Sequence, residues 1–184
     1  MKISHLFAFL TVSLALVSSS LSFAAELTAD QQTKIDAKIA QLKEWAAAPA
    51  IVNAVAAQNT RPPAVNATMT QEQWKKLSVL DPIVRAFNRN EAAAFLKTQR
   101  ATWMTEAFIS DAKGLKVAFL SKPSNWSHAT SAKHTQPMAG ASWQGAVELD
   151  ESTGLQQIQV SVPVLEGGKP IGSLVVGVAL SNLE

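Results

Sequence analysis

Beyond the first 24 residues, two histidines, one serine beside a histidine, and one pair of neighbouring carboxylates are the side chains whose types could do chemistry. His128 and His134 stand six residues apart in a polar stretch. A zinc-type site would need further His, Asp or Glu ligands at defined spacing beside them. No such cluster accompanies them, so both read as solvated or hydrogen-bonded imidazoles. Ser127 precedes His128 directly, without the strand-turn-helix glycine pattern that exposes a nucleophilic serine to its base. Asp150 and Glu151 open the turn Asp150-Glu-Ser-Thr-Gly154, where carboxylates accept backbone N–H groups more readily than they move protons. Asp111, in Asp111-Ala-Lys-Gly114, has the same turn reading. The expectation is a protein that binds without transforming: no enzyme activity, no catalytic residues, no metal and no cofactor.

The sequence has five tryptophans and no tyrosine. Trp45 and Trp74 fall on helical segments and read as packing residues. Trp103, Trp126 and Trp143 fall near strands or in an irregular stretch, where aromatic rings commonly wall a ligand pocket. For Trp103 and Trp143 the core reading is the simpler one, and for Trp126 a pocket wall and a structural plug are equal alternatives.

These residues must be held by a fold of modest size. The chain has 184 residues, 47% of them hydrophobic and 16% charged, which suits one globular domain with one core. Residues 1–24 are set apart. Lys2 gives a positive start, Leu6 to Val17 an apolar stretch, and Ser22-Phe23-Ala24 the small residues that a signal peptidase accepts. The apolar stretch is broken by Ser13 and Ser18-Ser19-Ser20 and is short for a membrane span. A cleaved export signal is expected, leaving residues 25–184 as a single domain, periplasmic or secreted. The absence of cysteine excludes disulfides, thiolate catalysis, covalent haem and lipidation at a mature N-terminus. The net charge of +2 falls by one when Lys2 leaves, and no basic run exceeds Lys75-Lys76, so no nucleic-acid partner is expected.

The first half of the mature chain is read as helical. Thr28-Ala-Asp-Gln31 has capping-box spacing. Ile35, Ile39, Leu42, Ala46, Pro49, Val52 and Val55 then recur in steps of three and four, one stripe of a long N-terminal helix over residues 25–60. Pro49 predicts a kink or restart within it, and Pro62-Pro63 a stop. After a linker-like loop over 60–69, Thr70-Gln-Glu-Gln73 caps a helix over Gln71 to Leu80, and Pro82 starts another running to Lys97, a helical region over 70–98.

The sheet is expected over 103–182. Phe108 to Phe119 reads as a hairpin turning at Gly114. The polar stretch Ser121 to Ala141 reads as a long loop that could hold a short helix. A strand over Gln144 to Leu149 follows. In Leu155 to Val164, Ile158, Val160, Val162 and Val164 alternate with Gln157, Gln159 and Ser161, which predicts a strand with one dry and one wet face. Ile171 to Leu180 has almost no polar interruption and reads as a central strand, joined to its predecessor by a turn with Gly167, Gly168 and Pro170. The fold class is therefore α+β: a long N-terminal helix and shorter helices packed on one face of an antiparallel sheet of about five strands.

Four pieces in this order resemble the Cache family of extracytoplasmic sensor domains, whose fold is PAS-like. They are Trp45-Ala-Ala-Ala-Pro49 with Asn53 and Gln58-Asn59; Leu80-Asp81; Glu106-Ala-Phe-Ile-Ser-Asp111-Ala-Lys-Gly114-Leu-Lys-Val117; and Asp150-Glu-Ser-Thr-Gly154 through Val164 to Gly177-Val178. The resemblance implies a small-metabolite pocket on the sheet, a signalling role, and, as in receptor relatives, self-association as a homodimer through the N-terminal helix. It gives weight to the loop around Trp126. Many relatives carry a Ser-Asp-Tyr-Trp-Gln-Gly-Asp-Glu pattern there, and here the stretch reads Ser124-Asn125-Trp126-Ser127-His128-Ala129. Ser124 and Trp126 match, and the acidic residues that could meet a cationic ligand group are missing. The candidate ligand-binding residues are accordingly Trp126, Ser124, Asn125, His128, Trp103 and Trp143. With no membrane helix or output domain after Leu180, the expected role is an exported soluble sensor module acting through a separate membrane signalling protein. The alternative is a ligand-free structural or interaction protein of the envelope on the same fold.

Overall fold

A computed structural model describes residues 26–150 and 154–183; the expected export signal and the turn residues Glu151, Ser152 and Thr153 lie outside them. Helix α1 (Ala29–Ala46) begins at the anticipated capping box, in which the Thr28 hydroxyl accepts from the Gln31 N–H and the Gln31 side chain accepts from the Thr28 N–H. Pro49 brings a full restart rather than a kink, because its missing N–H is harmless at the first position of a new helix, α2 (Pro49–Thr60). The restart also rotates the apolar stripe. Ile35, Leu42, Trp45 and Ala46 are buried in α1, but α2 buries Ile51, Val55 and Gln58 while Pro49 itself is exposed.

The expected loop over 60–69 contains a single turn of helix, α3 (Val65–Thr68). Thr70 and Gln73 form the second capping box, opening α4 (Gln71–Lys76), which stops four residues before the expected end. The helix expected from Pro82 to Lys97 is two helices, α5 (Pro82–Arg89) and α6 (Glu91–Thr98). Asn90 divides them: its backbone is extended and its side chain caps α6 by accepting from the Ala93 N–H at 2.9 Å. No helix among the described residues is long and apolar enough to cross a membrane.

Five strands follow: β1 (Met104–Asp111), β2 (Lys116–Phe119), β3 (Trp143–Leu149), β4 (Gln156–Glu166) and β5 (Lys169–Ala179), with a short helix α7 (Ala132–Met138) between β2 and β3. They form one antiparallel sheet in the order β2-β1-β5-β4-β3, an α+β arrangement of the PAS-like kind. The uninterrupted apolar strand β5 is central, buried from Gly172 to Ala179. Its turn with β4 uses Gly167 and Gly168 at positive φ, as the sequence implies.

Helices cover both faces of this sheet, not one. On the first face α1, α2 and α6 pack against Ala107, Ile109, Ile158, Val160, Val162, Val164, Leu174, Val176 and Val178. On the second, Trp74 of α4 and Val84 and Phe87 of α5 join Phe108, Phe119 and Val175 at the β2 end, while α7 lies against β5, β4 and β3. The expected wet face of β4 is therefore covered: Gln157 and Ser161 are buried, and Gln159 is half-buried.

Candidate ligand site on the polar face of the sheet

Strand parity collects an unusual set of side chains on the second face. The β1–β5–β4 register aligns Glu106 with Gly177 and Gln159, Phe108 with Val175 and Ser161, and Ser110 with Ser173 and Pro163. Alternate residues of a strand share a face, so Glu106, Phe108, Ser110, Ser173, Gln157, Gln159 and Ser161 all point away from α1 and α2. Glu148 joins them from β3, opposite Gln157. A cleft of about 760 Å³ stands over this band, lined by Glu106 and Phe108, Gln157 and Gln159, Glu148 and Asp150, with Arg100, Lys122, Lys133, Ser124, Asn125 and His128 among its walls.

Gly177 makes the band possible. A Cβ there would lie 2.5 Å from Gln157 Oε1 and closer still to Thr105 Oγ1, so only glycine lets side chains of β1 and β4 meet over β5. Two amide bridges use the gap. The Thr105 hydroxyl donates to Gln157 Oε1, whose amide nitrogen donates to Glu148 at 3.2 Å. The Gln159 amide nitrogen donates to Glu106, and its oxygen accepts from the Lys133 ammonium of α7. Burial raises the Glu106 carboxyl above its ordinary range, against the lowering effects of the Gln159 bond and the Lys133 charge and with a further rise from Asp150 and Glu148.

The loop between β2 and α7 forms the opposite wall and is fastened at several points. Gln71 of α4 donates to the Ser124 carbonyl at 2.9 Å and to the Asn125 side chain at 3.2 Å, and accepts from the Trp126 N–H at 2.8 Å. The Trp74 indole donates to the Pro123 carbonyl at 2.8 Å. Leu115 and Ser127 form an isolated bridge, and the His128 N–H donates to the Gly114 carbonyl at 2.9 Å. Gly114 has φ 76°, and a Cβ on it would strike the Ala129 backbone at 2.5 Å. A turn glycine thus also lets the loop lie against the first hairpin.

That fastening lays the His128 ring on Phe108, stacked at 4.8 Å and 18°. Lys116 of β2 is fully buried, its ammonium 4.5 Å from the Phe108 ring centre and donating to His128 Nδ1. Burial, reinforced by the Lys133 charge, lowers Lys116 to about 7, against the opposing charges of Glu106 and Asp111. Burial and then Lys116, Lys133 and His134 lower His128 to about 3, so at neutral pH it is an uncharged imidazole accepting at Nδ1. His134 of α7 is buried and meets the Ser173 hydroxyl at 2.8 Å; burial lowers its pKa, against a backbone bond to Ala112 and the Asp111 charge. No group of three or more His, Asp or Glu suited to a metal occurs among the described residues.

The structure separates the six sequence candidates. Ser124, Asn125 and His128 line the cleft. Trp126 does not: it is 3% exposed and packs at 5.0 Å from Trp74 and 5.5 Å from Phe87, so of its two readings the plug is the one its placement fits. Trp103 belongs to the other face of the sheet, stacked 5.9 Å from Trp45. Trp143 is half-buried on β3 with its ring folded over Gly145, and it is not among the residues that line the cleft. Glu106, Gln157, Gln159, Lys116 and Lys133 were absent from the sequence candidates. Glu106 and the two glutamines were readable in principle from parity with Phe108 and from the alternation of β4, but that alternation suggests solvent, not a covered cleft. The loop motif contributes no acid to the cleft, and Glu106 of β1, Glu148 of β3 and Asp150 just after β3 are among its lining residues. Asp111 has its turn role, accepting from the Lys113 and Leu115 N–H groups and from Gln58.

No protein-family model matches this sequence, and no curated protein matches it. Among solved structures the chain is similar to the ligand-binding domain of the Pseudomonas aeruginosa amino acid chemoreceptor PctC in complex with GABA, at 15% identity over 84% of this chain and 57% of that one, with a TM-score of 0.45. It is similar to the sensor domain of the V. cholerae histidine kinase DctB, at 16% identity over 83% of this chain and 55% of that one, TM-score 0.41. The E. coli DcuS sensor domain gives 14% identity over 83% of this chain and 93% of that one, TM-score 0.46. The chain thus spans a little over half the length of the first two and nearly all of the third. These likenesses are ones of overall element arrangement, and what the cleft can hold follows from its own residues.

Proposed function

We propose that the protein is an exported module that binds a small polar metabolite in the cleft over the second face of the sheet and passes its occupancy to a separate membrane signalling protein. The observation that carries the reading is the row of polar side chains meeting over Gly177, because a strand face buried under a helix is ordinarily apolar unless its polar groups have partners to serve. Glu106, Glu148 and Asp150 supply negative charge and Arg100, Lys122 and Lys133 positive charge around one space. A ligand with both an ammonium and a carboxylate group complements that arrangement. The amides of Gln157 and Gln159 exchange their present partners for the ligand, and Lys133 links the exchange to α7. The sensor role and the membrane partner are what the Cache resemblance of the sequence implies, and residues 1–24 would direct export.

Thermal melts of the protein beginning at Ala25 against amino acids, organic acids, amines and nucleobases test the binding. A ligand at 100 times its dissociation constant stabilises by ~2.7 kcal/mol. The expected response is to a zwitterion, lost in Glu106→Gln. A flat response across the panel overturns the reading. Sequencing of the N-terminus from a periplasmic fraction tests export, with Ala25 as the expected first residue.

A further inference from the structure

Lys116 is the buried titratable group that the sensor reading leaves without a task. It lies on the edge strand β2 yet has no exposed surface, and no carboxylate forms an ion pair with it among the described residues. Its amine lies against the Phe108 ring and donates to His128 Nδ1 beside the stacked pair, a desolvated aromatic slot. Both covering side chains line the cleft, so the amine lies one side chain beneath its wall. Of the two covers, Phe108 is fixed in the sheet, whereas His128 comes from the loop and holds the amine by a single side-chain contact.

We propose that Lys116 is a covalent capture site for a small carbonyl compound bearing a carboxylate, such as a 2-oxo acid, which enters the cleft and condenses with the amine when the His128 side chain turns aside. The physical basis is the one that activates lysines elsewhere: desolvation in an apolar slot together with a neighbouring cation keeps the amine unprotonated near neutral pH. Here the slot is Phe108 and His128, and the neighbouring cation is Lys133. In the reaction the amine lone pair forms a bond to the carbonyl carbon, and the oxygen takes one amine proton to give a carbinolamine. The nitrogen lone pair then forms the C=N bond as the hydroxyl leaves with the second amine proton, so one water is released for each imine formed. Arg100, Lys122 and Lys133 provide the charge that meets the carboxylate. This goes beyond the sensor reading; it needs a cleft open to small molecules, not any particular metabolite.

The test is reductive trapping. The chain from Ala25 is incubated at neutral pH with glyoxylate and cyanoborohydride, and tryptic peptides are followed over time by mass spectrometry. At this pH an ordinary lysine is almost wholly protonated, so Lys116 is expected to gain its carboxymethyl group at least about tenfold faster than the surface lysines. Urea unfolding should erase the preference, and Lys116→Arg should abolish fast labelling while the remaining lysines react as before. Labelling of Lys116 no faster than the surface set, or only in urea, overturns the proposal. A zwitterion response in the thermal melts alongside an unlabelled Lys116 removes this inference and leaves the sensor reading standing.

Discussion

The two faces of one sheet are buried for different reasons. The first carries Ile158, Val160, Val162 and Val164 against α1 and α2 in a mainly apolar core, with polar contacts such as Gln58 to Asp111 and Asn59 to the Ile171 carbonyl beside it. The second carries Gln157, Gln159 and Ser161 on the same strand, one residue out of phase, under α7 and a fastened loop. Burying polar groups gains little unless each finds a partner. On the second face some do not, since the hydroxyls of Ser110 and Ser161 are enclosed without a hydrogen bond. The first face is thus the larger apolar core, and the second joins a smaller apolar cluster at the β2 end to the polar cleft.

That division is open to a direct break. Ile158→Ala, on the apolar face of β4, removes a fully enclosed side chain from a packed core and should cost about 3 kcal/mol in urea unfolding. For a domain of this size that is roughly 6–12 °C of melting temperature. The ligand-induced stabilisation should persist unchanged once the lower baseline is subtracted. Loss of the ligand response at this site would mean that the two faces are coupled.

Gly177→Ala attacks the second face through one methyl group. The added carbon has no room between Thr105, Gln157 and the Glu106 side chain, so one of them must move. The expected cost is about 2 kcal/mol, smaller than that of Ile158→Ala because side-chain ends can yield. Its effect on binding should be the larger one, abolishing the thermal response to ligand. A Gly177→Ala protein that binds normally would show that the amide bridges do not form the site.

Most of the first face was legible in the sequence, and most of the second was not. Period-two alternation in Leu155 to Val164 and the apolar run from Ile171 locate β4 and β5 and their dry side, because burial against apolar helices leaves a pattern of residue types. The capping boxes at Thr28 and Thr70 also stand as read. The division of α5 from α6 was hidden because an asparagine among alanines, Asn90, serves as a cap only where its backbone leaves the helix. The cleft was hidden for a related reason. Gln157 and Gln159 look like solvent-facing residues until α7 covers them, and Gly177 looks like a weak strand residue until its neighbours on β1 and β4 are known. Trp126 drew attention as a large aromatic in a loop, yet its ring fills the space beside Trp74 and Phe87. The polar loop residues around it reach the cleft.

A pH titration sharpens the contrast further. Folded Lys116 releases its proton near 7, while in the unfolded chain a lysine holds it to ~10.4. Between these values the unfolded state binds more protons, so this group makes the protein more stable as pH rises, by at most about 1.4 kcal/mol per pH unit. Lys116→Met should flatten the rise, read from urea midpoints in unit steps across that window. Comparing wild type with variant isolates Lys116 from Glu106, whose raised pKa works with the opposite sign: its stabilisation is lost as pH rises through the folded value. Equal slopes in the two proteins would mean that the amine is charged in the fold.

The smallest effect belongs to the sheet edge where the two faces meet. Asn90 caps α6 through Oδ1 and donates from Nδ2 to the Val117 carbonyl of β2 at 2.7 Å, fixing the helix pair to the edge strand. Asn90→Ala removes both bonds and should cost about 1 kcal/mol, the usual worth of a helix cap. Asn90→Ser keeps a capping oxygen and loses the reach to Val117, so it should recover part of that loss. Neither change touches a residue of the cleft, and both variants should bind ligand with wild-type affinity. If Asn90→Ser were no better than alanine, the bond to Val117 would be the one that matters, and α6 would be held by the sheet rather than by its own first turn.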